Sequence, residues 1–83
     1  MPYIKWEERD EIVSLVAALA QAIQTPGQLA YALYLLLLAR TRDSGFEKMS
    51  GVLGVFEAVK LEFYRRVVVP YEQEKIAENG DVG

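Results

Sequence analysis

The chain has 83 residues, 52% of them hydrophobic, with no cysteine and no histidine. A chain this short makes one small domain that is marginal on its own core, and the missing residue types exclude disulfides, thiolate zinc sites, cysteine nucleophiles and imidazole acid–base catalysis. Net charge is −3: residues 1–71 balance eight basic against eight acidic side chains, and the excess lies in Glu72, Glu74, Glu78 and Asp81 opposed only by Lys75, which leaves no basic stripe for a phosphate backbone, so no nucleic-acid partner is expected.

Residues 1–5 read as an extended lead-in. The first helix is predicted to start between Trp6 and Asp10, because Glu7, Glu8, Asp10 and Glu11 place negative charge against the positive end of a helix. Ile12, Leu15, Val16, Leu19 and Ile23 recur at helical spacing, flanked by small alanines. The Trp6 ring is expected to pack across helix ends.

Thr25-Pro26-Gly27-Gln28 is a helix start. Threonine caps, proline suits the first helical position, and glutamine stands where a capping box needs it. The second helix is predicted over 26–42, after a connection short enough to make antiparallel neighbours. From Leu29 to Ala39 every residue is apolar or tyrosine. A helix apolar on all sides is buried on most of them, and 83 residues hardly supply that cover. A second copy of the chain is therefore expected as the partner.

Asp43-Ser44-Gly45 breaks the helix, and Ser44 with Glu47 reads as a second capping box. The third helix is predicted from about Gly45 to Val69, its continuation past Pro70 left open, with Val52, Phe56, Val59, Phe63 and Val67 on one stripe and Leu53, Leu61, Tyr64, Val68 and Tyr71 on an adjacent one. Gly51, Gly54 and Ala58 form a flat strip that close packing would explain, as would a bend or a late helix start. Pro70 lacks an amide hydrogen and clashes with the preceding turn. A kink or stop is predicted there, then a short helical turn over 71–77 ended by Asn79-Gly80. The fold class is all-α: a three-helix, up-down-up unit with a long third helix kinked or ended at Pro70 and a short C-terminal extension, pairing into an oligomeric bundle. The domain organisation is a single helical domain over 1–77 and an acidic tail over 78–83. The longest apolar run is 11 residues, against about 20 for a membrane-crossing helix. No signal peptide is read at the start of the chain. A cytoplasmic protein without a membrane partner is expected.

The remaining chemistry belongs to carboxylates. Glu7, Glu8 and Glu11 stand at helical spacing and offer oxygen ligands to a divalent ion. Helical nucleotide pyrophosphatases of the MazG type resemble this in using Glu-x-x-Glu pairs, completed by Glu-x-x-Asp on another helix. Here the only later counterpart is Glu78 with Asp81, in a glycine-containing tail, so the agreement is poor. No metal ligand, catalytic residue or cofactor is assigned.

Glu57 lies between Leu53 and Leu61 on an apolar stripe, with Lys60 within reach. A charge on such a face is paired or stands at an interface edge, which leaves an ion pair bridging helices or subunits beside a ligand-binding role. Glu62 and Arg66 form a favourable four-residue pair with Arg65 beside it. Three readings are open for these arginines: docking of a neighbour's acidic tail, an anion site, and a solvated pair. The candidate ligand- or partner-binding residues are therefore Glu57, Lys60, Glu62, Arg65 and Arg66.

The run from Val52 through Lys60-Leu61-Glu62-Phe63-Tyr64-Arg65-Arg66, then Pro70-Tyr71-Glu72 and Glu74-Lys75-Ile76-Ala77-Glu78-Asn79-Gly80-Asp81-Val82, together with the opening Met1-Pro2-Tyr3-Ile4 and Glu8-Arg9, resembles a family of small uncharacterised proteins. The resemblance covers about half of the chain and departs at Gln73, where an acidic residue is expected. It implies an all-helical domain of unknown function. It adds no reaction, and it implies that the Glu-Asn-Gly-Asp tail has a role. The function expected is that of a small oligomeric binding or scaffold protein, whose partner is itself and, beyond that, an unidentified protein. The alternative is a metal-dependent nucleotide pyrophosphohydrolase-like enzyme using the first helix's carboxylates and Glu57.

Overall fold

A computed structural model of the chain describes residues 3–83. The protein is all-α, and no strand occurs among the described residues. It divides into two units, one extending through Val52 and the other covering Leu53–Gly83.

The first unit opens with a 3-10 turn, Trp6–Glu8, that leads into α1, Arg9–Ala22. Arg9 folds back over this entry. Its Nε and Nη2 donate to the Ile4 carbonyl at 3.0 and 2.7 Å, and its guanidinium lies 4.0 Å from the Trp6 ring centroid. The ring is 77% exposed, so the predicted packing of Trp6 across helix ends does not form. The arginine three residues on stacks on its face instead. Helix α1 stops where Ile23 turns extended.

Helix α2, Pro26–Thr41, begins with the predicted capping box. Thr25 Oγ1 accepts from the Gln28 amide at 3.1 Å, and Gln28 Oε1 accepts from the Thr25 amide at 3.2 Å. The same oxygen takes the Gln24 amide at 2.6 Å, so one side chain satisfies two donors at the entry to the helix. Just past the helix, Asp43 takes the left-handed region at φ 59°, where aspartate is tolerated better than most residues.

The second predicted capping box is absent. Arg42 is extended, and the Ser44 hydroxyl donates to its carbonyl at 3.4 Å. Helix α3, Phe46–Phe63, begins instead with the Met49 amide bonded to the Gly45 carbonyl at 3.2 Å. The boundary between the units falls inside α3.

In the second unit the backbone does not stop at Pro70. Helix α3 passes into a π turn, Tyr64–Val68, and that into α4, Val69–Asn79. The Val69 amide reaches the Tyr64 carbonyl, five residues back. The α-helix thus ends before Pro70, at the π turn, and the short turn expected over 71–77 is part of an 11-residue helix that holds Pro70 near its start. The clash expected there sets the proline ring against the carbonyl four residues earlier, that of Arg66. A wider turn moves that carbonyl outward, and the helix runs on. Gly80, at φ 86°, then turns the chain out of α4, and its amide bonds the Ile76 carbonyl at 2.8 Å. Glu78, predicted to open the tail, is part of α4.

Among the described residues no side chain is buried.

Candidate functional site

All five candidate site residues lie in the second unit, and the helix separates them into two local sets. Lys60 Nζ pairs with Glu57 Oε1 at 3.3 Å, with both side chains more than half exposed. That is an i,i+3 pair within one helix rather than a bridge between helices. Each residue advances about 100° around an α-helix, so Glu62 stands about 140° from Glu57.

Glu62 gathers the second set. Its Oε1 accepts from Arg65 Nη2 at 2.8 Å and from Arg66 Nε at 2.6 Å. The carboxylate is 17% exposed, whereas both guanidinium groups stay largely in solvent. One carboxylate thus holds two forked cations on one flank of the π turn. Exposed pairs of this kind contribute little to stability, but they fix where the guanidinium groups stand.

One contact in this unit was not foreseen. The Tyr64 hydroxyl donates to Glu72 Oε1 at 3.0 Å, across the π turn and Pro70. The carboxylate raises the hydroxyl's pKa above its ordinary 10.0, first through the hydrogen bond and then through its charge. Downstream, Lys75 pairs with Glu78 at 3.1 Å. Beside α4, Val69, Glu72, Gln73 and Ile76 share a face that borders an open depression of about 520 Å³, closed at its far end by Asp81 and Val82.

The first unit offers a different surface. Val16 and Leu36, twenty residues apart in sequence, line the same groove, so the chain turns back on itself between α1 and α2. The groove between them has a volume of about 450 Å³. A neighbouring groove of about 430 Å³ runs along the Tyr31 and Leu35 side of α2.

Glu7 and Glu8 lie in the 3-10 turn and Glu11 in the first turn of α1. Among the described residues no group of three or more carboxylates is placed to hold a metal ion. None of the described helices is long and apolar enough to cross a membrane.

These observations define an all-α chain with open apolar helical faces and polar side chains engaged with near neighbours in sequence. The chain belongs to a family described as a domain of unknown function, DUF6899, which matches residues 1–82. The match extends well beyond the half of the chain that carried the resemblance. No curated protein and no solved structure matches it.

Proposed function

We propose that this protein is a small binding or scaffold protein that works as an assembly of its own copies. One observation carries the reading: no described side chain is buried, although the chain is rich in large apolar residues. On α2, Leu29 and Leu36 are each about half exposed, in the middle of an 11-residue stretch without charge. Apolar surface left in water is unfavourable by ~25 cal/mol per Å², and patches of this extent mark interaction sites. A partner that covers them contributes the core that one chain lacks.

The charged residues fit a supporting role. Glu62 orders Arg65 and Arg66 into a fixed cationic edge, and Glu57 with Lys60 forms a second polar edge. Edges of this kind border interfaces and select what docks against them. The reading is tested by thermal unfolding at protein concentrations spanning a hundredfold. Self-assembly makes the midpoint rise with concentration. A sharp transition at one fixed midpoint throughout contradicts it.

A further inference from the structure

The first unit holds an open apolar groove. Val16, Leu19 and Ala20 of α1, with Ile23 just past its end, line it together with Leu29, Ala32, Leu33 and Leu36 of α2. Each set has the spacing i, i+3, i+4, i+7, which is the core-facing stripe of a bundle helix. Neither set includes a polar side chain. Two stripes of bundle type thus line one open groove of about 450 Å³.

We infer that the occupant of this groove is the α1–α2 hairpin of a second copy, and that the two hairpins form a four-helix bundle about a two-fold axis. The inference rests on the self-assembly reading and gives it a location. Two features favour a second copy. A two-fold interface sets the same patch against itself, so it tolerates no concentration of one charge. The groove carries no charge at all, whereas the second unit's surface carries fixed arginines that would face their own copies. The helices also match in length, 14 and 16 residues, or about 21 and 24 Å, so two hairpins cover each other end to end.

The chain has no cysteine, which permits a direct test in the full-length protein. Single cysteines are introduced at Val16, Ala20, Leu29 and Leu33 in the groove, and at Glu47 and Gln73 outside it. Mild oxidation is expected to link at least one groove variant into a covalent dimer and neither outside variant. In parallel, Leu33→Glu is expected to give a helical monomer by circular dichroism and light scattering. If the wild type assembles but no groove cysteine links and Leu33→Glu stays assembled, the inference is overturned while self-assembly stands. If the wild type is a folded monomer whose groove cysteines resist a water-soluble maleimide, the groove is covered from within the chain and both are overturned. Should Leu33→Glu unfold, the cysteine series decides alone.

Discussion

The hydroxyl of Tyr64 and the carboxylate of Glu72 meet at 3.0 Å although eight residues separate them. In an α-helix of 3.6 residues per turn, the eighth residue on lies about 80° around the axis. The π turn over Tyr64–Val68 adds roughly one residue to a turn, which brings Glu72 close to the face that Tyr64 occupies. The bond and the widened turn are therefore one feature, and Pro70 lies inside it.

The pH dependence of this contact follows from its direction. Glu72 holds the Tyr64 pKa above 10.0, so the neutral hydroxyl is favoured in the folded chain over the unfolded one. The contribution is complete below pH 10.0 and is lost as pH rises through the folded-state value. A carbon-13 NMR titration of the five tyrosines is expected to find Tyr64 titrating above its ordinary value, and Glu72→Gln is expected to bring it back. A Tyr64 unaffected by that substitution contradicts the contact.

Pro70→Ala removes the reason for the wide turn. The segment is expected to return to regular α-helix, rotating Glu72 away from Tyr64 and returning the tyrosine's titration to its ordinary range. Stability to urea is expected to rise by less than the ~3 kcal/mol that a proline inside a regular helix costs, because the π turn already relieves part of the clash. An unchanged Tyr64 titration would mean that the turn is held by something other than Pro70.

Most of the helical architecture was legible in the residues. Thr25, Pro26 and Gln28 state their roles by type and spacing, and α2 begins where they place it. Three contacts were not legible, each for a physical reason. A lone proline reads as a break because it removes a hydrogen bond, but periodicity carries no sign that a wider turn will absorb it. Ser44 and Glu47 have the spacing of a capping box, yet the extended Arg42 sets its carbonyl beside the serine hydroxyl, and the bond forms there. Trp6 has the size of a core residue, and the guanidinium of Arg9 claims its ring first. The site was partly legible. Glu62 with Arg65 and Arg66 forms as its spacing implies, but the step of the helix sets Glu57 and Lys60 on another side, so five charges close in sequence make two sets.

The capping box at α2 gives a local stability test. Thr25→Ala removes the acceptor for the Gln28 amide and is expected to cost about 1 kcal/mol in chemical denaturation. Thr25→Ser, which keeps the oxygen, is expected to stay within a few tenths of the wild type. Equal losses in both variants would mean that the threonine methyl, not its hydroxyl, matters at this position.

Gly51 and Gly54 stand inside α3, and a Cβ built on either meets no atom within 4 Å. Among the described residues no atom meets such a Cβ. Each Gly→Ala change is expected to stabilise the helix by up to about 1 kcal/mol. A loss of stability instead would place this strip against a neighbouring chain and extend the interface beyond the α1–α2 groove.

The mass in solution tests the central claim most directly. Sedimentation equilibrium of the unmodified chain at micromolar concentration is expected to give at least twice the 9.4 kDa of one copy. A folded, cooperatively melting species of 9.4 kDa would contradict the account, because the apolar faces of α1 and α2 would then be covered without a second copy.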